Sequence, residues 1–325
     1  MKRACTQLPG LALIALLLCI CGCRRGVATD GLIPIHFQTD WYPQPEHGGF
    51  YEALLKGYYR QEGLDVTILP GGPLNSVEQQ VAMGAAQFAM GSSDRVLEFD
   101  SQGGRIVAVA ATMQQDPQGV MVHANSPVRT FSDLEGHAIA AKPGSTWFEY
   151  LVHRYNLKNV REVPATYSVA NFIQDPSYIQ QVFVTSEPFF ASKAGVPVRT
   201  LLISETGYAP YRVVFTSSDY LRQHPNVVGK FVRASVRGWH DYLQDSSAVH
   251  AELIKLNPAL DPQQMQFTWA ALRQGHFVDG GDSAHIGQMN AARWTAMYQQ
   301  LSDLKLIQRP FDPASAYVLQ FATAQ

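Results

Sequence analysis

The segment LIPIHFQTDWYPQPEHGGFYEALLKGYYRQEGLDVTIL, residues 32–69, decides the fold class of this 325-residue chain. Residues 33–40 alternate between apolar and polar side chains and predict a strand that ends at Asp40. Apolar side chains recur at helical spacing over residues 48–61, and residues 64–69 predict a second strand. A strand, a helix and a strand in succession are typical of an α/β fold with a mainly parallel sheet.

This alternation continues along the chain and divides it into two units. Residues 87–91 and 105–112 predict buried strands, and the second of them should be covered on both faces because nearly every side chain is apolar. A second unit of strands and helices begins near Gly119, and the chain returns to the first unit near Arg212. Beyond residue 220 the pattern is helical. The predicted lobe 1 comprises residues 23–118 and 213–325 with the helical tail, and the predicted lobe 2 comprises residues 119–212.

The composition excludes several classes of protein. Charged residues make up 16% of the chain and hydrophobic residues 46%, which argues against intrinsic disorder. The chain has 25 Lys and Arg against 27 Asp and Glu, so it has no basic excess to neutralise a phosphate backbone, and we expect no nucleic-acid partner. The four cysteines all lie at or before residue 23, so the rest of the chain has no disulfide, thiolate metal site or cysteine nucleophile.

The N-terminal residues predict a lipoprotein signal peptide over residues 1–22. A short basic region precedes an apolar run at residues 11–20, which is too short to span a bilayer comfortably. The run ends in Ile20-Cys21-Gly22-Cys23, which resembles the bacterial lipobox and implies lipidation of Cys23. Acyl chains on this cysteine would hold the protein at the periplasmic side of the inner or outer membrane of the cell envelope. The alternatives are an ordinary cleaved signal peptide and an uncleaved anchor.

Three motifs within residues 40–66 carry a resemblance to a known family. They read DWYP at residues 40–43, HGGFY at 47–51 and GYYRQEGLDV at 57–66. They resemble the opening of the NMT1/THI5-like family, which includes substrate-binding proteins of ABC importers for thiamine-pyrimidine precursors, riboflavin, sulfonates and nitrate. Weaker collinear matches lie at residues 91–94, 142–145 and 186–188.

The resemblance implies a two-lobed periplasmic binding protein fold of the type II-like class, with two crossover strands and a helical C-terminal segment. It also implies that a small-molecule solute binds between the lobes, which close around it. The implied partners are the permease and ATPase subunits of an ABC importer. We therefore expect a lipid-anchored monomer that captures a small heterocycle of pyrimidine or thiamine-precursor type.

Side chains that follow the predicted strands are candidates for binding this solute, because ligands of open α/β sheets bind beyond the carboxyl ends of the strands. The indole of Trp41 can stack on a flat ring, and carboxylates such as Asp40 can accept hydrogen bonds from ring amines. Residues 144–146 precede a predicted helix whose N-terminus could bind a phosphate or a carboxylate. The candidate ligand-binding residues are Asp40, Trp41, Tyr42, His47, Tyr51, Ser92, Ser93, Asp94, Gly144, Ser145, Thr146, Glu187, Tyr208 and Tyr211.

Several candidates also have a purely structural interpretation. Trp41 could pack under lobe 1, and Asp94 could cap a helix. Residues 144–146 could be a plain helix start, and Glu187 could begin a helix. His47 is more typical of a residue that orders its loop than of a ligand contact.

The sequence argues against an enzyme. In this family the fungal thiamine-pyrimidine synthase has a lysine for pyridoxal phosphate and a histidine donor four residues later, and aligned on Gly91 those positions are Ser93 and Leu97 here. The cysteine-rich iron motif of the synthase has no counterpart either.

Residues 276–285 contain histidines and aspartates, but their spacing fits no standard metal site. We expect no catalytic residue, cofactor or metal; the alternatives are an orphan surface lipoprotein with a sensing or protein-interaction role and a synthase-like enzyme.

Overall fold

The computed structural model describes residues 31–322, so the predicted signal peptide and Cys23 lie outside the described residues. Within this range two five-stranded sheets, each covered by helices, confirm the predicted two-lobed α/β fold. The strands are β1 (Ile33–Gln38), β2 (Leu64–Leu69), β3 (Phe88–Ser92), β4 (Ile106–Met113), β5 (Gln118–His123), β6 (Ala138–Ala141), β7 (Arg161–Pro164), β8 (Ile179–Phe183), β9 (Val198–Leu202) and β10 (Arg212–Ser217). The helices are α1 (Gly48–Leu55), α2 (Tyr58–Gln61), α3 (Val77–Ala82), α4 (Ser93–Ser101), α5 (Thr146–Tyr155), α6 (Ala170–Gln174), α7 (Glu187–Lys193), α8 (Ser218–Gln223), α9 (Pro225–Gln244), α10 (Ser247–Leu256), α11 (Pro262–Gln274) and α12 (Ala291–Asp303).

The two sheets share one plan. The sheet of lobe 1 has the strand order β2-β1-β3-β10-β4, and the sheet of lobe 2 has the order β7-β6-β8-β5-β9. In lobe 1, β1 runs parallel to β2 and β3, whereas β10 runs antiparallel between β3 and β4. In lobe 2, β5 runs antiparallel between β8 and β9. Each sheet is therefore mixed, because the strand that follows each crossover runs against its neighbours.

Two short segments connect the lobes. Residues 114–117 join β4 to β5, and residues 203–211 join β9 to β10. Arg293 of α12 donates hydrogen bonds to the carbonyl oxygen of Gln114 in the first segment and to two carbonyl oxygens in the second, at 2.7–2.9 Å. The C-terminal helical region thus holds both crossovers, while the residue limits of the lobes stay a prediction. Within the described part of the chain, the helices are too short or too polar to span a membrane.

Close contact between α1 and α9 positions the loop that leads into the cleft. A Cβ at Gly49 would lie 2.2 Å from the indole of Trp239. A Cβ at Gly238 of α9 would lie 2.1 Å from the carbonyl oxygen of Gly49. Glycine at both positions lets the helices approach, which holds the preceding loop, residues 39–47, at the carboxyl end of β1.

Two element boundaries differ from the sequence prediction. The helix predicted over residues 48–61 is divided into α1 and α2, because Gly57 adopts a left-handed backbone with φ 70°. The strand predicted over residues 33–40 ends at Gln38. Asp40 therefore lies in the loop that borders the cleft and not at the end of the strand.

Candidate ligand-binding cleft

A cleft between the lobes contains two cavities, of about 460 Å³ and about 540 Å³, which are sizes typical of small-molecule sites. We call the smaller cavity the carboxylate chamber, because Glu46 and Glu187 line it. We call the larger one the lysine chamber, because Lys142 lines it. The residues that line both chambers are Asp40, Trp41, Tyr167, Gln181 and Phe183.

Glu46 brings a carboxylate from lobe 1 to the boundary with lobe 2. It lies in a 3-10 turn, Pro45–His47, just before α1, and only 1% of it is exposed. The hydroxyl of Thr185 in lobe 2 donates a hydrogen bond to its Oε1 at 2.8 Å. Its Oε2 is buried and has no hydrogen-bond partner among the described residues. Because an unpaired buried acceptor is costly, a donor that reached this oxygen would remove that cost.

Glu187 supplies a second carboxylate to the same chamber. It is the first residue of α7, and its Oε2 accepts a hydrogen bond from the backbone N–H of Phe183 at 2.8 Å. Burial raises the pKa of Glu46 to about 7, and the nearby charge of Glu187 adds to the rise. Burial also raises the pKa of Glu187 to about 7. Both carboxyl groups therefore titrate near neutral pH.

Amide and aromatic side chains complete the carboxylate chamber. Gln180 of β8 is 5% exposed, and its Oε1 has no hydrogen-bond partner among the described residues. Tyr178 and Phe190 line the chamber from lobe 2. Buried acceptors beside aromatic walls suit a flat ligand whose edge carries N–H or O–H donors.

The rings of Trp41 and Tyr167 meet across the cleft, where the two chambers adjoin. Their centroids are 5.1 Å apart, and their planes are tilted by 52°. Tyr167 is 47% exposed and has a left-handed backbone with φ 55°, which is strained for a bulky residue. A ring between them needs about 3.5 Å on each face, so a bound ring would displace Tyr167 from Trp41.

Asp40 is held by protein partners and is not a free acceptor. Its Oδ1 accepts a hydrogen bond from Nε2 of His47 at 3.0 Å, and its Oδ2 pairs with the guanidinium of Arg212. Burial lowers the pKa of His47 to about 3, so its imidazole is neutral and donates an ordinary hydrogen bond. Burial lowers the pKa of Arg212 to about 10, which leaves it charged at neutral pH. His47 thus orders the loop and lines neither chamber.

Asp94 ties lobe 1 to lobe 2. Its Oδ2 accepts hydrogen bonds from the hydroxyl of Thr146 in lobe 2 at 2.5 Å and from that of Tyr208 in the second crossover at 2.7 Å. Asp94 and Thr146 line the lysine chamber, whereas Tyr208 is 1% exposed and lines neither chamber. Burial and the charge of Asp94 raise the pKa of Tyr208, which keeps the phenol a donor. The hydroxyls of Thr146 and Tyr208 therefore bind the carboxylate oxygen of Asp94 that the sequence predicted to face a ligand.

The predicted anion site at residues 144–146 is occupied by a carboxylate of the chain itself. The backbone N–H groups of Gly144 and Ser145 donate to the carboxylate of Glu162 at 2.8 Å and 3.4 Å. These residues do line the lysine chamber. The prediction that these two amides bind a ligand anion is corrected, because Glu162 takes that place.

Four further candidates lie away from the chambers. Tyr51 is 3% exposed, because α1 turns it into the core of lobe 1. The backbone N–H of Tyr211 donates to Oγ of Ser93 at 3.0 Å, so these two residues hold the second crossover against α4. Tyr42 is 50% exposed and borders neither cavity. Ser92, by contrast, lines the lysine chamber.

Among the cleft residues that sequence reasoning missed are Glu46, Gln180 and Tyr167. Glu46 lies between the DWYP and HGGFY motifs, and this position is the one local feature of the sequence that could have identified it as a cleft residue. Its burial depends on Thr185, which lies 139 residues further along the chain. Gln180 lies in β8, and in a strand sequence a polar side chain suggests a solvent-facing position.

The histidines and aspartates of residues 276–285 do not form a metal site. The closest approach there is between Nδ1 of His276 and Oδ1 of Asp279, at 3.2 Å. Across residues 31–322, no three histidine, cysteine, aspartate or glutamate side chains are placed to hold a metal ion together.

Two mixed sheets with a cleft at their crossovers are the fold of periplasmic solute-binding proteins. The family model described as NMT1/THI5 like matches residues 44–248, and the chain belongs to this family. Riboflavin-binding protein RibY of Chloroflexus aurantiacus is 24% identical over 308 residues, which cover 90% of this chain and 87% of that protein. Formylaminopyrimidine-binding protein of Halalkalibacterium halodurans is 30% identical over 129 residues, which cover 39% of each.

Other similar proteins differ in function, so the family alone does not define the ligand. The periplasmic aliphatic sulphonate binding protein SsuA from Escherichia coli has the same fold, with a TM-score of 0.67 at 15% identity, covering 90% of this chain and 94% of that chain. The 4-amino-5-hydroxymethyl-2-methylpyrimidine phosphate synthase THI11 of Saccharomyces cerevisiae is 23% identical over 248 residues, which cover 70% of this chain and 72% of that protein. The residues of the cleft must therefore distinguish between these functions.

Replacement of the buried carboxyl, Glu46→Gln, should stabilise the ligand-free protein at pH 8. The pKa of about 7 in the folded protein exceeds the ordinary value of 4.5, so the unfolding free energy falls as pH rises from about 4.5 to 7. The amide avoids the cost of a buried charge and still accepts from Thr185. We expect a midpoint of thermal unfolding about 2–5 °C higher at pH 8, measured by calorimetry, and little change at pH 5.

The exposed Glu149→Gln is the matched control and should leave the unfolding midpoint unchanged at both pH values. A lower midpoint for Glu46→Gln at pH 8, or an equal rise at pH 5 and pH 8, would show that Glu46 carries no buried charge.

Proposed function

We propose that the protein is a solute-binding protein of an ABC importer that captures a flat, donor-bearing heterocycle of pyrimidine or thiamine-precursor type between its lobes. The observation that carries this proposal is the buried, unpartnered Oε2 of Glu46 in the carboxylate chamber. A ring amine or amide N–H that reaches this oxygen removes the cost of an unpaired acceptor, about 1–3 kcal/mol. The names of two relatives specify riboflavin and formylaminopyrimidine, which belong to the same class of solute.

The aromatic wall supports a flat solute. A ring that takes the place of Tyr167 against Trp41 gains about 1 kcal/mol of stacking beyond the burial of its surface. The strained backbone and exposure of Tyr167 make it the movable partner of the pair.

The charge of the carboxylate chamber disfavours a sulfonate or nitrate in that position. Glu46 and Glu187 repel an anion whenever they are ionised. None of the residues that line this chamber in the described structure is a lysine or an arginine. The sulphonate named for the neighbour SsuA is therefore not the solute that we propose for this chamber.

We infer that the solute is bound and not converted. Ser93 and Leu97 stand at the positions that align with the lysine and histidine of the fungal synthase motif. The Oγ of Ser93 binds a backbone N–H of the second crossover, and Leu97 is fully buried in the core. Neither residue borders a chamber, so the cofactor-binding lysine and the donor histidine of the synthase have no counterpart at these positions.

We also propose that acylated Cys23 anchors the protein in the cell envelope, on the periplasmic side of the inner or outer membrane. The lipobox-like residues 20–23 and the binding-protein relatives support this location. From there the protein, as a monomer, would deliver its solute to the permease and ATPase subunits.

Binding of 4-amino-5-hydroxymethyl-2-methylpyrimidine should weaken as pH falls from 8.5 to 6.5. The ionised carboxylates of Glu46 and Glu187 accept the donors of the ring, so a pKa of about 7 makes protonation compete with binding. The expected loss is roughly fourfold for each carboxylate engaged. Isothermal titration calorimetry at the two pH values measures it.

The Glu187→Gln variant should lose part of this pH dependence, whereas the exposed Glu149→Gln should keep all of it. The contradicting outcome is that an alkanesulfonate binds more tightly as pH falls and the pyrimidine does not bind. That result would mean that protonated carboxyl groups donate to an anion, and the proposed ligand class would be wrong.

Replacement of the stacking residue, Trp41→Ala, should weaken pyrimidine binding by about tenfold or more, because stacking and burial of the ring are both lost. Fluorescence or calorimetric titration measures the affinity, and circular dichroism checks the fold. The exposed Leu256→Ala, on α10 and outside both chambers, is the control and should change the affinity by less than about twofold. An unchanged affinity for folded Trp41→Ala would remove Trp41 from the binding site.

The lipid anchor has its own test in the native host. Cys23→Ser should move the protein from the membrane fraction to the soluble fraction of the cell envelope, because no thiol remains to carry the acyl chains. Cys21→Ser leaves the acceptor thiol in place and should stay with the membrane. Retention of Cys23→Ser in the membrane fraction would contradict an anchor at this residue.

A further inference from the structure

The acidic side chains that line the lysine chamber all have partners within the chain. Asp40 and Asp94 are engaged at the cleft as described above. Oε2 of Glu78 accepts a hydrogen bond from the hydroxyl of Ser76 at 3.3 Å. The chamber therefore presents no free buried carboxylate of the kind that Glu46 provides in the other chamber.

The basic side chains of the lysine chamber are less fully paired. Lys142 is exposed and forms no ion pair or side-chain hydrogen bond with the residues that the structure describes. Arg212 is 7% exposed; its guanidinium pairs with Asp40 and lies 3.9 Å from Asp116, and its Nε is buried. Arg95 pairs with Glu98 at 2.5 Å. The charged group left available in this chamber is thus the ammonium of Lys142.

We propose that the lysine chamber binds an anionic substituent, a carboxylate or a phosphate, of the heterocycle whose donor edge faces Glu46; this inference rests on the function proposed above. The two chambers adjoin at Trp41 and Tyr167, so a ring stacked on Trp41 has one edge in each chamber. Donors on one edge of the ring meet the carboxylate of Glu46, and the anion on the opposite edge meets Lys142. The cleft therefore selects a solute with hydrogen-bond donors on one edge and an anionic group on the opposite edge.

Two compounds that share a ring test this selection. They are 4-amino-5-hydroxymethyl-2-methylpyrimidine and its phosphate ester, which differ only in the anionic group. In calorimetric titrations at pH 8 the ester should bind at least about fivefold more tightly than the alcohol, because charge-assisted hydrogen bonds are stronger than neutral ones. Raising the salt concentration should reduce this advantage, since Lys142 is exposed.

Lys142→Gln should remove most of the advantage of the ester while changing the affinity for the alcohol by less than about twofold. Because Lys142 is an exposed side chain, the substitution should not affect folding. Lys158→Gln replaces another exposed lysine of lobe 2, outside both chambers, and should change neither affinity.

The inference is overturned if the unaltered protein binds the ester no more tightly than the alcohol. It is also overturned if Lys142→Gln keeps the full advantage or weakens both compounds equally. In each of these cases the alcohol still binds to the unaltered protein, so the proposed function stands. Failure of both compounds to bind would instead overturn the proposed function and this inference together.

Discussion

The buried carboxylate of Glu46 is the constraint on which the cleft depends. One of its oxygens is held by Thr185 from the opposite lobe, and the other has no partner among the described residues. The lobes thus meet around an atom that needs a donor. In the absence of a solute a proton relieves this need, which is why burial raises the pKa of Glu46 to about 7. A solute with an N–H donor takes the place of the proton on Glu46. Binding of the solute and contact between the lobes therefore stabilise each other.

Asp40 and Asp94, two further carboxylates of the cleft, have partners within the chain and hold the lobes together. Asp40 pairs with Arg212 at the start of the returning strand, and Asp94 accepts hydroxyls from lobe 2 and from the second crossover. Arg293 binds backbone carbonyls of both crossovers. Removing one partner of such a buried pair leaves an uncompensated charge, which costs more than the pair contributes. These residues therefore fix the junction, whereas Glu46 and Lys142 remain available to a solute.

Local sequence patterns were sufficient for most of the fold and insufficient for the site. The strand Leu64–Leu69 was predicted residue for residue, because its composition and the preceding glycine are local signals. The strand Arg161–Pro164 was missed, because it is short, partly exposed and defined by its pairing with β6. Tyr51 belongs to a motif that resembles the family, yet packing of α1 on α9 turns it into the core. The burial of Glu46 likewise comes from the other lobe, so no window of sequence reveals it.

The most direct measurement is a crystal structure of the protein with the solute that it retains through purification from its native host. The account predicts a planar ring against Trp41, with Tyr167 displaced and a ring N–H within hydrogen-bond distance of Oε2 of Glu46. A solute whose acceptor oxygens face a protonated Glu46, or one bound outside the cleft, would contradict it.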